Sequence, residues 1–137
     1  MSSELRRPIP TPNVYVPTAP FWNGARSGKL MLQYCLDTHR FQHYPRPVSI
    51  YTGSRNLEWR EVSGQGEIYA FTTLRISGPG LDGRVPLVVA TIELDEKVRI
   101  IANIVESNPQ DIRIGARVIL AWDHLDDSTP YPAFRLV

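Results

Sequence analysis

The sequence predicts a mainly β protein: a short N-terminal helix, a small turn-rich module and a C-terminal five-stranded barrel. Three observations carry this. Five segments after residue 64 are rich in Val, Ile, Tyr, Phe and Thr and are separated by turn residues. No stretch has the periodicity of a long amphipathic helix. The zone from 30 to 60 is turn-rich, with two short apolar runs of its own.

From the N-terminus, Pro8, Pro10, Pro12, Pro17 and Pro20 exclude helix over most of residues 1–20 and predict an extended, polyproline-like arm. TAPFWNGARSGKL then offers a hydroxyl cap at Thr18, a proline in the first turn and Gly28 as a stop. These signals predict a helix from Thr18 to about Ser27, with Phe21 and Trp22 as its apolar face. LMLQYC and FQHYP read as a hairpin, and PRPVSIYTGSRNLEW reads as turns. The barrel strands are expected at 67–76, 86–94, 98–105, 116–123 and 133–137. LDEKV makes a tight hairpin, and SNPQDIRIG leaves room for one helical turn. Closing five strands removes exposed sheet edges, and a Greek-key barrel of the OB type does this with such connections. The expected division is 1–29 for arm and helix, 30–60 for the small turn-rich module and 61–137 for the barrel.

Bulk properties narrow the function. Fifteen basic and fourteen acidic side chains in 137 residues leave a formal charge of +1, too weak a field to draw nucleic acid or an anionic membrane. A single cysteine, Cys35, excludes an internal disulfide framework and fits a reducing, cytoplasmic setting. Proline where a signal peptide needs an apolar run, and no stretch of spanning length, predict a soluble chain.

PFWNGARSGKLMLQYC, PRPV, NLEWREVSGQGEIYAFTTL, PLVVATIELDEKVRIIANIV and DIRIGARVILAWD, in this order, resemble the DUF35 family over roughly residues 17–137. That family joins an N-terminal helix, a rubredoxin-like zinc ribbon and an OB-fold. The resemblance implies an accessory subunit of a thiolase-like acyltransferase, thiolase or aldolase acting on acyl-CoA substrates in lipid or steroid metabolism. Such a subunit buttresses the catalytic chain in a heteromeric complex and shapes the acyl-CoA passage. It also implies four zinc-ligand positions, at Cys35, Thr38, Ser49 and Thr52, of which only the first keeps a ligand residue. A lone thiolate does not complete the tetrahedron of a structural zinc, so no metal and no other cofactor is expected.

Each remaining constellation has a plainer reading. Cys35, His39 and His43 would make a three-ligand zinc site only on a helix. On a strand the two histidines share a face ~13 Å apart at ~3.3 Å per residue. Cys35 lacks a placed base for nucleophilic work and reads as a small packed hydrophobe. Asp123, His124, Asp126 and Asp127 form a polar loop with no glycine to fold it around a cation. Gly64 and Gly66 bend the start of the first barrel strand rather than cradle phosphate, and GPGLDG at 78–83 is a flexible connection. The aromatic residues Phe21, Trp22, Tyr34, Phe41, Tyr44 and Trp59 are therefore the partner-interface candidates, with Phe21 and Trp22 preferred.

Three competing functions are separable. A stand-alone acyl-CoA-binding module would bind CoA esters without a partner. A single-strand nucleic-acid binder needs a basic groove with stacking aromatics, whereas Arg75, Arg84, Arg99, Arg113 and Arg117 are matched by Glu93, Asp95, Glu96, Asp111 and Asp123. A small lyase or hydratase using His124 or Cys35 would turn over substrate alone.

Overall fold

A computed structural model describes residues 18–76, 83–124 and 130–137. The proline arm, most of the 78–83 connection, Asp126 and Asp127 lie outside the described residues.

The helix α1 spans Ala19–Arg26, with Pro20 in its first turn and Arg26 in its last. Thr18 stands at the N-cap position, but its side chain does not close the cap, contrary to the hydroxyl cap expected from sequence. Phe21 and Ala25 are its buried residues, one turn apart on a single face. Gly28, at φ 74°, takes the left-handed conformation that ends the helix.

The ribbon is a three-stranded antiparallel sheet with β1 (Met31–Cys35) between β2 (Arg40–Gln42) and β3 (Leu57–Glu61). β1 and β2 are the expected hairpin, shortened: the strand ends at Gln42, before the second histidine. β3 corrects the turn-rich reading of this stretch. Its partner lies more than twenty residues back, with Cys35 opposite Leu57 and Met31 opposite Glu61, so no local signal announces the pairing. The interior is partly polar. Gln42 donates from Nε2 to Gln33 Oε1 (2.7 Å) and to Val48 O (3.2 Å), and its Oε1 accepts from Ile50 N (2.9 Å). Gln33 exchanges 2.8 Å bonds with the backbone of Arg46. These two nearly inaccessible amides pin the 45–50 loop, because a buried amide is stable only when its hydrogen bonds are satisfied.

The barrel closes in the order β4-β5-β6-β8-β7, with β4 (Gln65–Leu74), β5 (Leu87–Leu94), β6 (Arg99–Ile104), β7 (Arg117–His124) and β8 (Pro130–Leu136). All neighbours are antiparallel except β6 and β8, which are parallel. This is the five-stranded OB arrangement expected, with a 3₁₀ turn at Pro109–Asp111 between β6 and β7. β5 shows the alternation of a half-buried strand, burying Val88, Ala90, Ile92 and Leu94. β8 begins three residues earlier than expected, because Pro130 and Pro132 fall at its start, where a missing N–H costs little.

Gly66 has a different purpose from the bend inferred from sequence. A Cβ there would lie 2.5 Å from Glu93 O and 3.0 Å from Leu94 Cα, so β4 and β5 touch backbone to backbone at that point. Gly64 does take a bend, at φ 73°, and its carbonyl accepts from Leu120 N at 2.7 Å. One hydrophobic cluster contains Phe21, Leu30 and Leu32 together with the barrel residues Ile68, Ile92, Val118 and Phe134.

Candidate functional site

A cleft of about 460 Å³ lies where α1, the end of β2 and the outer face of the barrel converge. Volumes of this order hold small ligands. Phe21 and Trp22 come from the helix and His43, Tyr44 and Pro45 from the ribbon. Val89, Ile101, Asn103 and Tyr131 come from β5, β6 and β8. Among the described residues, no Asp, Glu, Lys or Arg lines it.

The walls are aromatic and interlocked. Phe21 meets Trp22 edge-on at 4.9 Å and stacks on the His43 ring at 5.7 Å, while Trp22 reaches Tyr131 at 5.5 Å. Tyr44 lies 4.0 Å from the His43 ring and is half exposed. Of the preferred pair, then, Phe21 is turned into the core at 8% exposure and serves as backing, while Trp22 faces the cleft.

His43 is the unusual member. Both ring nitrogens are closed from solvent and, among the described residues, have no hydrogen-bond partner, and burial pushes the His43 pKa down from 6.5 to about 4. The imidazole is neutral at pH 7 and works as an aromatic plate rather than as a base. Asp123 lies beside the cleft residue Asn103 but does not line the cleft. Asp123 is paired with Arg84 and accepts from Asn103 Nδ2 at 3.2 Å. Asn103 is thereby oriented, with its amide group tied to the barrel.

The remaining sequence candidates fall elsewhere. Tyr34 meets Phe41 edge-on at 4.9 Å, carries the Arg60 guanidinium over its ring at 3.7 Å and contacts His39 Nδ1 through its hydroxyl at 3.2 Å. Trp59 is half-buried against the core. Hence the six aromatics split into a cleft group and a ribbon group. His124 borders a separate shallow depression with Ala25, Arg26 and Trp122. Arg84, Arg99 and Arg117 are engaged by Asp123, Glu93 and Asp95, and Arg113 donates to the carbonyls of Gln110 and Ile112. Most barrel arginines are thus committed within the fold, and no basic groove runs through the cleft. Tyr131 and Asn103 were not singled out in the sequence. Only the register that lays β6 and β8 beside α1 reveals them.

Cys35, Thr38, Ser49 and Thr52, the four positions that the ribbon resemblance implies, are linked by hydrogen bonds at the Cys35 sulfur and the Ser49 hydroxyl. Cys35 exposes no surface. Ser49 Oγ donates to its sulfur at 3.2 Å and accepts from Tyr51 N (3.1 Å) and Thr52 N (3.3 Å). The Ser49 hydroxyl first, then Thr38 and the backbone of the 37–38 turn, bring the Cys35 thiol down to about 7. Thr52 Oγ1 turns outward to Asp37 and Ser54. The zinc that this ribbon type implies does not fit such a donor set: one thiol and three hydroxyls lack the nitrogen and sulfur ligands zinc takes. His39 and His43 do not supply them, since one bonds to Tyr34 and the other is stacked in the cleft. Among the described residues no group of three or more His, Cys, Asp or Glu is placed to hold a metal.

Residues 22–49 match the family model described as "ChsH2, rubredoxin-like zinc ribbon domain", and residues 59–123 match "ChsH2, C-terminal OB-fold domain". A probable enoyl-CoA hydratase alpha subunit of Thermomonospora curvata is 30% identical over 92% of this chain and 39% of its own length. A 3-oxo-4,17-pregnadiene-20-carboxyl-CoA hydratase alpha subunit of Mycobacterium tuberculosis is 30% identical over 83% and 36%. The chain therefore spans less than two fifths of these relatives. A DUF35 domain-containing scaffold protein of Methanocaldococcus jannaschii is 35% identical over 47% of both chains. Among solved structures, a chain of "Ltp2-ChsH2(DUF35) aldolase" superposes with a TM-score of 0.83 at 28% identity, covering 92% of this chain and 98% of that one. With its ribbon, barrel and segment order all accounted for, the chain belongs to the DUF35 family, in the form found in ChsH2.

Proposed function

We propose that this chain is a non-catalytic accessory subunit of a thiolase-like acyltransferase or aldolase acting on acyl-CoA substrates, which it stabilises while its cleft helps enclose the acyl-CoA passage. The observation that supports this most is the match over 92% of the chain to the DUF35 chain of a solved aldolase. The site chemistry agrees. An uncharged aromatic cleft suits an apolar or amide-bearing chain and excludes water, which strengthens the electrostatics of a neighbouring catalytic centre. Among the described residues it offers no acid or base to a reacting bond, because His43 is neutral with its nitrogens shut away and Asp123 is engaged by Arg84 and Asn103.

The relatives named as hydratase subunits favour a second reading, in which the partner is a hydratase, but they are more than twice as long as the region they share with this chain. In either case the catalytic groups come from elsewhere. Co-expression with a thiolase-superfamily protein from the same genomic neighbourhood is the test. The two are expected to co-purify, and Trp22→Ala with Tyr131→Ala to lower the partner's turnover of acyl-CoA. Independent purification with unchanged partner activity would remove the proposal. Calorimetry on the isolated chain distinguishes the stand-alone module, which would bind CoA esters unaided.

A further inference from the structure

Thr18, the first described residue, is itself one of the residues lining the cleft, so the stretch before it is delivered to the cleft mouth. That stretch is PIPTPNVYVP, residues 8–17, which contains no Asp, Glu, Lys or Arg. The cleft is uncharged in the same way among the described residues, with Trp22, Tyr44 and Tyr131 among its walls. Charge returns only farther upstream, at Arg6 and Arg7.

The cleft is a groove along a strand. β6 pairs with β8 only at Asn103 and Ile104, so from Arg99 to Ala102 it has β5 on one side and no described strand on the other. Ile101, in this stretch, faces the cleft and is 57% exposed. An apolar side chain this open beside aromatic rings gains from an apolar cover. Val14, Tyr15 and Val16 can supply one, because a run of β-branched and aromatic residues favours extended backbone and period two puts the two valines on one face. Pro12 and Pro17 flank the run and restrict the chain beforehand, which lowers the cost of ordering it; aromatic-lined grooves recognise proline-rich segments on this basis. At ~3.3 Å per residue, Val16 lies within ~7 Å of Thr18 and Val14 within ~13 Å.

We propose that residues 13–17 of this chain's own arm occupy the cleft, with Val14 and Val16 turned onto Trp22, Ile101 and Tyr131. So short a tether gives an effective concentration on the order of 1 mM, so a segment whose free peptide binds at about 0.1 mM fills the cleft about nine-tenths of the time. In the accessory role the arm and an acyl chain compete for the same walls, and a partner that draws the arm away opens the cleft. That consequence rests on the proposed function, whereas the docking itself does not.

NMR on the isotope-labelled full chain, without any partner, tests the docking. The methyl groups of Val14 and Val16 are expected to show NOEs to the Trp22 or Tyr131 ring. Val14→Asp with Val16→Asp is expected to abolish them and to shift the amides of Ile101 and Asn103, while the signals of β1 and β3 stay in place. The synthetic peptide PIPTPNVYVP is expected to bind this variant about ten-fold more tightly than wild type, whose own arm excludes it. Absence of NOEs from the arm to the cleft, or a peptide that binds both proteins equally or neither, overturns the proposal. NOEs found only between chains, in a mixture of labelled and unlabelled protein, put the arm of a second copy in the cleft and overturn it as well. Failure to co-purify with a thiolase-like partner alters none of these readings, so the two proposals fail separately.

Discussion

Replacing His43 by phenylalanine tests how the cleft is built. The imidazole is stacked on Phe21 and Tyr44 with two unpartnered, buried nitrogens, and burial holds its pKa at about 4 against 6.5 unfolded. A histidine whose folded pKa lies below its unfolded one contributes full stability above pH 6.5 and loses it as pH falls towards 4, because the unfolded chain takes up the proton first. Each unit of difference is worth about 1.4 kcal/mol. By pH 5 the linkage therefore costs the wild type about 2 kcal/mol relative to pH 7.5, rising to about 3 kcal/mol below pH 4. His43→Phe keeps the planar ring and removes the nitrogens. It is expected to match or exceed the wild type at pH 7.5, since an unsatisfied buried polar group costs about 1–3 kcal/mol. It is also expected to lose about 2 kcal/mol less on acidification. Urea unfolding of both proteins at pH 7.5 and pH 5 measures this, and the difference between them cancels the acid sensitivity of the carboxylates. Equal losses in the two proteins would refute the reasoning.

Two further outcomes follow from packing and donor chemistry. Gly66→Ala drives a methyl against Glu93 O and Leu94 Cα and is expected to destabilise by about 1–3 kcal/mol, the usual cost of overpacking; a melting temperature equal to wild type would contradict the close approach. Thr38→Cys, Ser49→Cys and Thr52→Cys together with Cys35 complete four thiols at positions the backbone already gathers. This variant is expected to bind one zinc per chain, measured by elemental analysis after dialysis, while wild type under the same conditions binds none. A triple variant without zinc would show that the knuckle backbone itself has drifted.

What could be read from the residues, and what could not, divides along the range of the interaction. The helix boundaries, the β5–β6 hairpin and the barrel strands follow from local signals: proline and glycine placement around 20 and 28, and β-branched alternation such as Val88, Ala90 and Ile92. That Thr38, Ser49 and Thr52 stand at three of the four positions the ribbon resemblance implies was equally legible, because residue identity needs no fold. β3 was not, since LEWRE becomes a strand only by pairing with residues 31–35, far back in the chain. Gln33 and Gln42 gave no warning that they form a buried amide pair, for amides on a short strand look like surface until the strands are in register. The inward turn of Phe21 and the isolation of His43 are likewise decisions of packing: hydrophobicity marks an aromatic as wanting burial, but only the assembled core determines which of two neighbours receives it. Sequence thus determined the family and, β3 aside, the elements. Tertiary structure alone decided which aromatics form a cleft and which histidine is neutralised, because each depends on groups distant in the chain being brought to the same few ångströms.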